Sequence, residues 1–113
     1  MANTIVRNGG IISVSGLDVD FEVVSIPEFA RRGIWLESIL FTPGAASDVL
    51  IVRDGLTGNK ICTLKSDAGQ QLEEHFGEGM WCKVAIDVSE CTFGGSVQEA
   101  KFKFDHAKSL CLQ

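Results

Sequence analysis

The chain predicts an all-β fold: a two-sheet antiparallel sandwich, jelly-roll-like, of about eight short strands. Three observations predict it. Between Ile34 and Gly55 two apolar runs rich in β-branched and aromatic residues flank a Pro-Gly-Ala-Ala-Ser turn. Turn-forming clusters recur roughly every eight to twelve residues, the spacing of sandwiches and barrels. No stretch holds a helical period long enough for a βαβ unit.

Each element follows from local chemistry. Thr4 to Arg7 reads as a first strand ending at Asn8-Gly9-Gly10, a tripeptide that tolerates positive φ. Ile11 to Ser15 follows, with Ile12 and Val14 on one face. After the Gly16-Leu17-Asp18 bend, Phe21 to Ile26 is a third strand that Pro27 ends. Glu28 to Gly33 is too short to sustain a helix and reads as a connection carrying one aromatic, Phe29. Ile34 to Thr42 is the fourth strand, apolar on both faces: strict alternation sets Trp35, Ile39 and Phe41 against Ile34, Leu36 and Leu40. Asp48 to Asp54 and Ile61 to Lys65 form a hairpin across Asp54-Gly55 and Gly58-Asn59. Gln70 to Phe76 fits either a helical turn or a bulged strand closed by Gly77 and Gly79. Trp81 to Val88 alternates, with Cys82, Val84, Ile86 and Val88 sharing a face. Val97 to His106 has the cleanest period of two, Ala100, Phe102 and Phe104 against Lys101, Lys103 and Asp105.

Length and composition bound the class. The 113 residues make one domain, 1–113, with 107–113 a docking tail. A hydrophobic fraction of 45% argues against disorder, and a formal charge of −5 gives no basic footprint for nucleic acid. No apolar run spans a membrane, and the amino-terminal ten residues hold no signal-length apolar core. The four cysteines, at Cys62, Cys82, Cys91 and Cys111, form no C-x-x-C pair and read as free structural thiols of a reducing compartment. Two disulfides in a protein matured outside a cell, or one four-thiolate metal site, are the alternatives.

Chemistry is sparse. Glu73-Glu74-His75 are consecutive and read as a polar turn, and His106 as an edge histidine. Asp18-Val19-Asp20 and the pair Asp48 and Asp54 are the carboxylate groupings, without a calcium-loop spacing around them. There is no phosphate-binding glycine loop. No catalytic residue, cofactor or metal is expected. Trp81, Phe93 and Phe29 are aromatic candidates for a contact surface, and Arg31-Arg32 is a basic pair suited to its rim.

The segment W-L-E-S-I-L-F-T-P-G-A-A-S-D-V-L-I-V-R-D-G, with K-I-C-T-L-K-S and the later G-M-W at Gly79 to Trp81, resembles small β proteins encoded among tailed-phage structural genes. The likeness covers Trp35 to Trp81, under half of the chain. It implies a virion component of the capsid-decoration or head–tail accessory type, made in the host cytoplasm. Trp35, Pro43, Gly44, Asp48 and Asp54-Gly55 carry it as scaffold residues, and it transfers no catalytic residue. The four cysteines and the terminal K-S-L-C-L-Q lie outside that pattern.

The resulting expectation is a non-enzymatic structural protein that binds itself, as a trimer or dimer, and a major capsid or neighbouring virion protein, with no nucleic acid and no membrane. Its expected contact residues are Phe29, Arg31, Arg32, Leu36, Leu40, Trp81, Phe93, Leu110 and Leu112. Two rivals stand beside it. A carbohydrate-binding sandwich using Trp81 and Phe93 as its platform needs them coplanar and exposed beside carboxylates. A small carboxylate-dependent hydrolase needs two of Asp18, Asp20, Asp48 and Asp54 about 5–10 Å apart.

Overall fold

A computed structural model of the chain describes residues 3–17, 19–30, 33–94 and 98–111, the side chains at 110 and 111 excepted. Asp18, Arg31, Arg32, Val97 and Leu112 lie outside the described residues, as does the Leu110 side chain.

Nine strands form among the described residues: β1 (Thr4–Asn8), β2 (Ile11–Ser15), β3 (Phe21–Glu22), β4 (Ile34–Thr42), β5 (Val49–Asp54), β6 (Lys60–Lys65), β7 (Leu72–Cys82), β8 (Val84–Ile86) and β9 (Glu99–Phe104). A six-residue helix, α1 (His106–Cys111), follows. The strands make a five-stranded sheet, β1-β2-β9-β4-β7, and a four-stranded sheet, β3-β8-β5-β6, with every pairing antiparallel. From β2 onward this order is two interlocked Greek keys, the jelly-roll arrangement, and β1 is added to one edge. The inner faces close over one core that includes Ile12, Val14, Phe21, Ile39, Phe41, Leu50, Val52, Ile86 and Phe102.

Turn chemistry sets the hairpins. Asn8 and Ile11 are paired across the two-residue Gly9-Gly10 turn, with Gly9 at φ 61°. At the other end of the core, the Asp48 side chain organises the Pro-Gly-Ala-Ala-Ser loop. Its Oδ2 accepts the backbone N–H of Gly44 at 2.8 Å and Ala45 at 3.2 Å, and its Oδ1 accepts that of Gly94 at 2.7 Å. This buried carboxylate therefore ties two loops together.

Four expectations are corrected. The third strand is only β3. From Val23 the chain turns into two 3-10 turns, Val23–Ser25 and Pro27–Phe29, because Val23 and Val24 are adjacent apolar residues that strict alternation would place on opposite faces. Strand β4 does not alternate strictly: its register shifts between Leu36 and Ser38, so Ile34, Leu36, Ile39 and Phe41 face the core while Trp35 and Leu40 face outward. The strand continuing from Gln70 does not stop at Gly77 and Gly79. These glycines, at φ 60° and 99°, lie within a long bulge of β7, where Phe76 to Gly79 stand opposite the single Glu37. Finally, Trp81 to Val88 is two strands, since the chain leaves one sheet at Cys82 and enters the other at Val84. Lys83 makes the crossing, its N–H bonded to Asp54 Oδ1 at 2.8 Å and its carbonyl accepting Gly55 N–H at 2.8 Å.

The carboxyl-terminal segment docks on its own domain. Trp35 N–H donates to Ser109 Oγ at 2.8 Å, Asp105 N–H donates to Trp35 O at 3.0 Å, and Ser109 is buried. Helix α1 thus packs beside the start of β4, anchored there by the buried Ser109.

Candidate assembly surface

Burial sorts the expected contact residues. Phe29 and Leu36 are fully buried, so neither offers surface. Phe29 packs edge-on to Phe104 at 5.3 Å under the Arg7 guanidinium, and Leu36 faces the core because of the β4 bulge. Phe93 is half-buried, leaning on Phe41 at 6.2 Å. Leu40 is half-buried on the outer face of the five-stranded sheet, and Trp81 is half-buried beyond it.

The outer face around Leu40 is built in rows across the sheet. Ile11, Lys103, Ser38 and His75 form one row, and Ser13, Lys101, Leu40 and Glu73 form the next. Between them lies a shallow depression of about 120 Å³. Two lysines alternate here with small hydroxyls and a carboxylate, and Lys101 also approaches Glu99 at 3.7 Å. This face is mixed in charge and suited to a polar contact.

Trp81 stands opposite Trp35 with the ring planes at 90° and centroids 5.7 Å apart. The Trp35 indole N–H donates to Glu78 O at 2.9 Å, and Lys108 Nζ lies 4.9 Å from its ring centroid. Gly79 permits this approach, since a Cβ there would collide with the Trp35 indole. The pair is perpendicular and partly capped by a cation. It does not present the coplanar rings that stacking on a sugar requires.

The carboxylates are engaged by backbone amides in separate places. Asp20 Oδ1 accepts Val88 N–H at 3.0 Å, Asp54 Oδ1 accepts Lys83 N–H, and Asp48 holds its three amides. Asp48 and Asp54 lie at opposite ends of β5, roughly 20 Å apart at about 3.3 Å per residue, too far for a glycosidic pair. Among the described residues no group of His, Cys, Asp and Glu is arranged to hold a metal. Cys62, Cys82 and Cys91 carry free thiols, and burial pushes all three up, Cys62 to about 11.

One surface was not anticipated. Among the described residues the exposed large hydrophobic side chains are Ile5, Val6, Ile11 and Val19. All four gather at the β1 edge of the five-stranded sheet: two on β1, one at the start of β2, and one on a loop that Asn3 straps to β1. The Asn3 side chain donates to Val19 O at 2.8 Å and accepts Val19 N–H at 3.1 Å. The sequence signal was the adjacent pair Ile5-Val6, which puts an apolar side chain on each face of a terminal strand. Arg7, next on that strand, is tied down by an ion pair with Glu28 and a 2.7 Å contact to His106 Nε2.

No family model matches the chain, and no curated protein or solved structure matches it.

Proposed function

We propose that the chain is a non-enzymatic structural subunit of a phage particle, decorating or cementing the capsid through contacts with its own copies and with a shell protein. The observation that carries the reading is that Ile5 and Val6 lie exposed on the strand that, among the described residues, ends the larger sheet, with exposed Ile11 on the next strand and Val19 on the loop that Asn3 straps beside it. Apolar side chains on an unpaired edge strand are a liability in a free monomer and an asset in a subunit that is to be covered. Two further features support it. Asp20, Asp48 and Asp54, three of the aspartates that a hydrolase would use, serve as backbone caps, and Trp81, which a sugar site would use with Phe93, stands perpendicular to a Trp35 ring that Lys108 approaches. Jelly rolls serve as capsid and lectin domains alike, so the fold admits this function without selecting it.

The test is direct. Native particles from the source are purified, resolved by mass spectrometry and imaged, with antibody against the recombinant chain as label. The chain is expected at a fixed copy ratio to the shell protein and on the particle exterior. Its absence from purified particles would end the reading.

A further inference from the structure

The pairing rules of β1 extend that reading to a specific contact. Because Asn8 and Ile11 close a two-residue turn, they form a hydrogen-bonded pair, and bonding alternates back along the strand. Asn8, Val6 and Thr4 therefore direct their backbone groups to β2, and Ile5 and Arg7 direct theirs outward. Strand β2 is the one neighbour of β1 among the described residues.

We propose that this edge pairs antiparallel with β1 of a second copy, about a two-fold axis at Val6, fusing two five-stranded sheets into one continuous sheet. The proposal rests on the structural-subunit reading and names one of its contacts. Register favours a second copy over an unlike strand. With Val6 opposite its own counterpart, Ile5 stands opposite Arg7 and Arg7 opposite Ile5, so every outward amide and carbonyl of these residues gains a partner. An isologous contact of this kind is closed and self-limiting.

Charge points the same way. Two chains of net charge −5 repel one another, but T-I-V-R-N contains no carboxylate and the Glu28 carboxylate beside it is paired with Arg7, so repulsion is weak at this edge. The register also keeps the two Arg7 side chains apart, each beside an isoleucine that its aliphatic stem can cover. Side chains complete the match. Ile5 is 44% exposed and Val6 55% exposed, on opposite faces of the strand, and pairing covers both at once.

Sedimentation of the full chain across a micromolar to millimolar series tests the proposal, together with two variants. The wild type is expected to reach twice its 12.2 kDa mass. Ile5→Lys sets a like charge beside Arg7 of the copy at both symmetric positions and should weaken the dimer about tenfold, with circular dichroism unchanged. Under mild oxidation Val6→Cys should cross-link to its counterpart, above the wild-type background. Thr4→Cys should not, since each Thr4 would lie roughly 13 Å from its counterpart. A wild type that stays monomeric throughout, or cross-linking of Thr4→Cys as readily as Val6→Cys, would overturn the pairing. A monomeric chain that is nevertheless present in particles would overturn the pairing alone. A β1 dimer absent from particles would overturn the structural-subunit reading alone.

Discussion

Removing the Asp48 carboxylate would strand three backbone amides in a buried loop junction at once. Hydrogen bonds to a charged acceptor contribute more than neutral ones, and amides left unsatisfied lose their hydration without recompense. Asp48→Ala is therefore expected to lower unfolding free energy by about 3 kcal/mol, read by urea denaturation. Asp48→Asn keeps an acceptor oxygen for part of the network and should lose less. The cysteines give a second test at this scale. Burial holds the Cys62 thiol up to about 11 from an ordinary 9.0, with the Glu74 carboxylate adding to the shift. The folded protein keeps that proton where the unfolded chain releases it, so ionisation favours the unfolded state. The Cys62 contribution should be flat below about pH 9 and fall towards pH 11. The drop assignable to Cys62 is about 1–2 kcal/mol, less than full linkage because the side chain is partly exposed and solvent screens it. Unfolding curves of wild type and Cys62→Ala at pH 7.5 and 10.5 would read the difference as a shallower decline in the variant.

Strand β4 is the clearest case of an element legible in its limits and not in its faces. Its span, Ile34–Thr42, follows from a run of strand formers between Gly33 and Pro43 that only Glu37 and Ser38 interrupt. Its sidedness does not, because strict alternation cannot register a bulge, and the bulge at Glu37 reverses parity halfway along. Both neighbours record it: Glu37 is an extra residue of β4 against β9 and stands opposite a four-residue excursion of β7 from Phe76 to Gly79, whose glycines read in the sequence only as an apparent strand end. The same blindness to tertiary partners assigned Leu36 and Leu40 to one face and Trp35 to the face of Ile39 and Phe41. The structure separates them, and their variants should separate too. Leu36→Asp puts an unpaired carboxylate into the core and should leave the chain unfolded or lower its stability by more than about 3 kcal/mol. Leu40→Asp faces outward beside Lys101, and should change stability by about 1 kcal/mol or less. Equal losses in the two variants, measured by thermal unfolding, would contradict the bulge.

At the scale of the molecule, fold class was readable because turn residues and period-two runs are local, while the exposed apolar edge was not, because exposure depends on which strand ends at an edge. Thr4–Arg7 and the terminal alternating run look alike as strands. The topology sets them apart: β9 lies between β2 and β4, and β1 lies outside all of them. Ala100, Phe102 and Phe104 of β9 are buried, with Phe102 stacked on Phe21 at 6.0 Å across the sandwich, whereas every residue of β1 is exposed. Pairing β2 with β9 joins the two ends of the chain, a non-local contact whose loop entropy must be met before it is rewarded. Refolding should therefore fall in the millisecond-to-second range, and the fold should be indivisible at that junction. A chain truncated before Glu99 loses the strand that bridges the two halves of its larger sheet and should show no cooperative thermal transition by circular dichroism. A chain beginning at Gly10 loses an outer strand, the Arg7 contacts with Phe29, Glu28 and His106, and the Asn3 strap on Val19. It should keep a native β spectrum with its midpoint lowered by several degrees, consistent with a loss of about 1–2 kcal/mol. Because that second truncation removes Ile5, Val6 and the outward-facing amides together, it should also sediment at monomer mass at every concentration, separating the stability of the jelly roll from its capacity to assemble.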